Sequence, residues 1–210
     1  MKKNFFLLSI ILCLVFFENT LMANEYDLSK IQSKLYKPWG MSFINKDEVL
    51  VTQKSGEILK INVSNQDSIV IKHNIVVKEY GQGGLLDILY HQDHIYITYA
   101  EKRDANKYST SIAKGKFIKD NEIMFENIFQ SEPPTAEDIH FGSRLSIKDK
   151  YLYASLGERR QGIATQDPKN HFGKIIRINL DGSIPTDNPD FDEPLTFPGV
   201  FQIGLRNPQG

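Results

Sequence analysis

The chain has 210 residues, of which 40% are hydrophobic and 24% charged, within the range of ordinary globular proteins and outside that of disordered or fibrous chains. Lys and Arg (25) nearly balance Asp and Glu (26) for a formal charge of -1, and no dense basic run occurs. The electrostatic footprint of a nucleic-acid binder is therefore missing, and no nucleic-acid partner is expected.

The chain opens with Lys2 and Lys3, followed by the short apolar run FFLLSIILCLVFF from Phe5 to Phe17. A positive start before such a core reads as an export signal. The run is too short for a bilayer, which takes roughly 20 apolar residues. A cut after Ala23 divides the chain into a signal peptide, residues 1–23, and a mature part, residues 24–210, although Leu21 is bulkier than is usual near such a cut. The expectation is a periplasmic or secreted protein with no membrane span once the signal is removed. The only cysteine, Cys13, leaves with the signal, so the mature part carries no disulfide in spite of an oxidising compartment.

Past the signal there is no long amphipathic helical pattern. Short runs rich in β-formers alternate with polar turns, which predicts an all-β fold. Three segments repeat one design, an apolar run, a turn holding an Asp, then an alternating strand: Met41 to Thr52, Leu86 to Thr98, and Arg144 to Ser155. The step from Asp47 to Asp93 is 46 residues and that from Asp93 to Asp149 is 56. Both lie near the ~40–50 residues of a β-propeller blade. GEILKIN (Gly56 to Asn62) and GKIIRIN (Gly173 to Asn179) echo each other at corresponding places. A propeller blade covers its apolar faces only by packing on its neighbours in a ring. The 187 residues after Ala23 make under four blades at about 50 each. The expectation is an incomplete ring of about three to four blades, the N-terminal part of a longer protein.

Between Asp181 and Pro198 the run DGSIPTDNPDFDEPLTFP is dense in Asp, Asn and Pro and reads as a solvated loop. Its carboxylates are donors of the kind calcium takes, but their spacing is not that of an EF-hand.

Four clusters stand at predicted strand ends: GQGGLLD (Gly81 to Asp87), HFGSRL (His140 to Leu145), LGERRQG (Leu156 to Gly162) and GLRNPQG (Gly204 to Gly210). Starts of successive blades converge on a propeller axis, which would bring Gln82, His140 and Arg206 together. A neutral His beside an Arg and an amide suits removal of a proton from a hydroxyl next to developing negative charge. The residues alone leave alternatives open: His140 as a blade-edge histidine capping backbone groups, Arg206 as a salt-bridged turn residue. His171, in a second HFG tripeptide, reads as a structural echo, and Trp39 as a packing residue between blades.

GQGGLLD, HFGSRL, NHFGKIIRINLDGSIPTDNP and RNPQG, in this order and after PWGMSF (Pro38 to Phe43), resemble the soluble aldose and glucose/sorbosone dehydrogenases that use pyrroloquinoline quinone. The resemblance runs from about Pro38 to Gly210. It implies a six-bladed propeller that oxidises the anomeric hydroxyl of an aldose to the lactone, passes a hydride to the quinone, and hands electrons to an external acceptor. It further implies His140 as general base, with Gln82, Arg206 and Asn207 as cofactor contacts. Calcium beneath the quinone is also implied, its ligands expected downstream of residue 210, so that the fragment by itself would form no stable holoenzyme. Ile139 stands where the glucose-specific branch has an Asp, and Phe141 where that branch has a polar residue, which points to the broader aldose-type branch. Two other functions stay open: a non-catalytic sugar- or protein-binding propeller, and a calcium-dependent lactonase on a similar ring.

Overall fold

The structure, a computed structural model, describes residues 28–31, 34–191 and 195–210. The expected signal peptide, with Cys13, lies outside the described residues. Of the first compact unit, Met1–Lys30, only residues 28–30 are described and they form no regular element; the second unit, Ile31–Gly210, carries the fold.

Among the described residues twelve strands and one 3-10 segment follow in order. They are β1 (Pro38–Phe43), β2 (Glu48–Gln53), β3 (Ile58–Asn62), β4 (Ser68–His73), β5 (Leu85–His91), β6 (His94–Asp104), β7 (Lys107–Lys119) and β8 (Glu122–Gln130). After these come β9 (Gly142–Lys148), β10 (Tyr151–Leu156), the 3-10 segment (Gly162–Gln166), β11 (Lys174–Asn179) and β12 (Val200–Gln202). The chain is all-β, as its sequence pattern predicts.

The strands form three antiparallel meanders of four, β1 to β4, β5 to β8 and β9 to β12. A short parallel pairing of Lys72 with Glu122 and His73 with Ile123 joins the outer strands of the first two. Beside it the Asn74 amide imitates a strand, donating to the Phe125 carbonyl (2.9 Å) and accepting from the Phe125 amide (2.8 Å).

Asp47, Asp93 and Asp149 each fall in the turn between the first and second strands of a meander. The Asn45 side chain caps the first turn, accepting from the amides of Asp47 and Glu48. In the second, Gln92 and Asp93 both have positive φ, 48° and 62°, the geometry that lets a two-residue loop follow the strand twist. The two echoing segments supply β3 and β11, the third strands of their sheets.

Alternation along β6 explains why IYITYA is apolar almost throughout. Ile95, Ile97 and Tyr99 face a core shared with Leu50, Ile58 and Ile71 of the first sheet. Tyr96 faces the opposite core, shared with Leu152, Leu156, Ile176 and Ile178 of the third. A strand buried on both faces has no solvent side to mark with polar residues. Each fully buried Ile or Leu contributes about 1.5–3 kcal/mol, so the sheets are held mainly by these two cores. The first strands β1, β5 and β9 lie side by side. Where they begin, a smaller cluster of Leu86, Ala100, Tyr108 and Phe141, with Trp39 and Tyr80 against it, supports the site described next.

Candidate active site

The site grows from the two loops that enter β5 and β9. In the first, Gly81 has φ 55° and lies against the Asp138 backbone, where a Cβ would collide with the carbonyl oxygen. That closeness lets Gln82 bridge the loops. Its backbone amide donates to the Asp138 carbonyl (2.7 Å), and its Oε1 accepts from the His140 amide (2.9 Å).

His140 itself sits in the left-handed region, φ 54°, rare for a residue with a Cβ. Its carbonyl packs on Gly157, which has no room for a side chain. The half-buried imidazole pairs through Nδ1 with Oε1 of Glu158, a residue buried just past the end of β10. Burial pushes the Glu158 carboxyl up, but hydrogen bonds from His140 and from the backbone amides of Gly162 and Arg160 outweigh it and hold the group below its usual value. An ionised carboxylate only accepts, so the shared proton belongs to Nδ1, and neutral His140 keeps its lone pair on Nε2. The pair is chemically a base with a charged partner fixed behind it.

The segment after β12 closes the other side. Asn207 Oδ1 accepts from the Gly142 amide (3.0 Å), and the Arg206 carbonyl accepts from the Glu158 amide (2.7 Å). Ser155 Oγ donates to the Pro208 carbonyl (2.7 Å) and Arg144 Nε to that of Gln209 (2.8 Å), seating the segment on β9 and β10. The Arg206 side chain is exposed and lines a cavity of about 220 Å³ together with Glu158, Gly162, Thr165, Gly204 and Leu205. Gln82, His140, Arg206 and Asn207, singled out from sequence, are thus assembled in one place.

Glu158 was not singled out. Its signal was a carboxylate flanked by glycine at a strand end, one residue inside a cluster already noted for its polarity. Asp87, from the first cluster, turns out to tie sheets together: buried, it accepts from the Leu145 amide (2.7 Å) and from Arg144 Nη1 (2.8 Å). Arg144 in turn lies over the Trp39 ring, 4.7 Å from its centroid.

The second HFG tripeptide is structural, as expected. His171 is buried, accepts at Nδ1 from the Glu132 amide (2.8 Å) and donates from Nε2 to the Pro198 carbonyl (3.0 Å). Burial brings its pKa down to about 4, so it is neutral at physiological pH. The acidic loop after β11 is more than a solvated turn. Arg177, held between the rings of Tyr151 and Phe201, binds Asp187 (2.8 Å) and Asn188 (2.5 Å) from it. Among the described residues no three His, Cys, Asp or Glu side chains gather as a metal site.

Residues 35–210 match the family model described as Glucose / Sorbosone dehydrogenase. The chain is 32% identical over 189 residues to the aldose sugar dehydrogenase YliI of Escherichia coli K12, covering 86% of this chain and 51% of that protein. It is 25% identical over 221 residues to quinoprotein glucose dehydrogenase B of Acinetobacter calcoaceticus, covering 90% of this chain and 46% of that one. The crystal structure of the soluble aldose sugar dehydrogenase of Escherichia coli in its apo-form superposes with a TM-score of 0.81 at 31% identity, over 87% of this chain and 55% of the other. The chain spans about half the length of the curated relatives it matches. With a matching region that takes in all twelve described strands and the assembled site, the chain belongs to the glucose/sorbosone dehydrogenase family.

Proposed function

We propose that the full-length protein is a quinoprotein sugar dehydrogenase on a six-bladed β-propeller, whose first three blades are the three meanders described above. It oxidises the anomeric hydroxyl of an aldose to the lactone, with His140 as general base. The observation that carries this reading is the His140–Glu158 pair, set beside the amides of Gln82 and Asn207 and the exposed Arg206 guanidinium. A pure binding surface has no need of a histidine whose Nδ1 is held by an ionised carboxylate.

The donor set suits pyrroloquinoline quinone, an anion bearing carboxylates and carbonyl oxygens. Arg206 and the Asn207 and Gln82 amides would hold it; when bound, it supplies the acceptor for the hydride. Nε2 of His140 takes the proton of the anomeric hydroxyl as the C1–H bond yields its electron pair and the carbonyl forms. Glu158 offsets the charge that arises on the imidazole, and Arg206 lowers the cost of negative charge nearby. No three metal-ligating side chains gather among the described residues, so no step here depends on calcium. With residues 1–23 read as an export signal, the enzyme works in the periplasm or outside the cell, and an external acceptor carries the electrons away.

The test is dye reduction by the purified full-length protein supplied with the quinone and calcium, across several aldoses. Sugar-dependent reduction is expected, with His140→Gln lowering kcat by about 10²–10⁴-fold, the usual worth of a general base. Consumption of lactones without dye reduction would replace the proposal with a hydrolase, and sugar binding without turnover would replace it with a binding propeller.

A further inference from the structure

The neighbour of Glu158 in the chain, Arg159, is 4% exposed, and its guanidinium is spent on backbone carbonyls. Nε donates to Ile139 (3.0 Å), Nη1 to Tyr108 (3.2 Å), and Nη2 to Glu137. Its flat face lies on the Phe141 ring, 3.6 Å from the centroid. Burying a cation is costly unless its donors are satisfied, and a site that keeps one has a use for its geometry.

We propose that Arg159 is a positioning residue for His140, holding the backbone on both sides of it so that the imidazole meets Glu158 and points its free nitrogen at substrate. The inference rests on the proposed role of His140 as base. Carbonyls 137 and 139 turn toward Arg159 while carbonyl 138 turns the opposite way, to the Gln82 amide. The alternation keeps the chain extended up to Ile139. Immediately after, the guanidinium pins the Phe141 ring and Thr110 Oγ1 donates to the Phe141 carbonyl (3.0 Å). With both flanks fixed, the change of direction falls on His140, which accordingly has φ 54°. The Tyr80 hydroxyl, donating to the Ala136 carbonyl (2.5 Å), anchors the start of the same segment. Glu158 grips the ring and Arg159 the backbone, so two adjacent residues of one turn orient one histidine. Only a planar fork with a stacking face can serve two carbonyls of one strand, a third on β7 and a ring together; lysine cannot.

The test uses Arg159→Lys and Arg159→Ala in the full-length protein, with two readouts. In the quinone-free protein, NMR of the His140 imidazole reports the Nδ1 proton shared with Glu158; this resonance is expected to broaden or vanish in both variants. In the quinone-loaded protein, kcat is expected to fall by about 10- to 100-fold with KM for the sugar within about two-fold, since a misplacement on the order of 1 Å costs that much. Added guanidinium is expected to restore part of the kcat of Arg159→Ala. An unchanged imidazole resonance in a folded variant overturns the proposal, whatever the activity. Should Arg159→Ala fail to fold, Arg159→Lys decides by the same resonance. A wild-type protein with the resonance but no dehydrogenase activity would count against the enzyme reading alone and leave the positioning role standing.

Discussion

Nδ1 of His140 and Oε1 of Glu158 meet although the residues belong to different loops, 18 positions apart in the chain. The contact fixes both the tautomer and the direction of the ring, and it makes the histidine a better base by placing negative charge where its own positive charge will form. Replacing Glu158 by Gln keeps an oxygen able to accept from Nδ1 and from the Gly162 amide, so the fold is expected to survive. The charge is lost, and kcat is expected to drop by about 10- to 100-fold, part of the 10²–10⁴ that a general base supplies. Stopped-flow dye reduction at saturating sugar checks this; a variant as fast as the parent would mean the carboxylate only braces the loop.

Gly157 lies so close to His140 that a Cβ there would overlap the His140 carbonyl and approach the Gly142 amide at 2.8 Å. Both obstacles are backbone and cannot rotate away. Gly157→Ala is expected to destabilise the protein by about 1–3 kcal/mol, as overpacking of a filled site does. Urea denaturation should show a lower midpoint with the slope unchanged, together with loss of the His140 to Glu158 contact. A midpoint equal to that of the parent would show that the loops have more slack than their packing implies.

His171 gives the molecule a pH dependence whose sign is fixed by its burial. Its pKa is about 4 when folded and 6.5 when exposed. Between these values the unfolded chain holds a proton that the folded chain refuses, so stability falls as pH drops from 6.5 toward 4 and levels off below. At about 1.4 kcal/mol for each unit, the loss from this group is about 3 kcal/mol. Comparing denaturation midpoints of the parent and His171→Gln from pH 7 to 4 isolates the contribution, since glutamine does not titrate there. Equal slopes for the two proteins over that range would rule out a buried neutral histidine.

The meanders were legible because turn chemistry and strand alternation are local. An Asp in the same turn of each unit, and the matching segments that become β3 and β11, set the repeat without reference to anything distant. The long β7 was not legible: KYSTSIAKGKFIK mixes polar and apolar residues, and the Ser and Thr hydroxyls that look solvent-facing are buried against neighbouring loops. Within the site, Gln82, His140 and Asn207 stood out through the motifs that surround them. Glu158 and Arg159 did not, since a charged residue in a turn is ordinarily solvated. Their burial depends on the loop before β9 folding back across β10, a relation between segments some 20 residues apart. The same holds for Arg177, whose partners in the acidic loop are recognisable only once the loop lies over β11.

The two amide side chains at the site have each committed one end. Gln82 spends its oxygen on the His140 amide, and Asn207 spends its oxygen on that of Gly142. What either can still offer a visitor is the NH₂ end, and Arg206 has donors alone. Around a base with a free lone pair, the surface therefore speaks almost entirely in hydrogen-bond donors. A molecule rich in oxygens that accept is welcomed from several sides, while one that brings its own N–H groups finds only Nε2 of His140 to receive them. Polarity of this kind sorts ligands before any chemistry begins, and it was set by which ends of two amides the backbone claimed first.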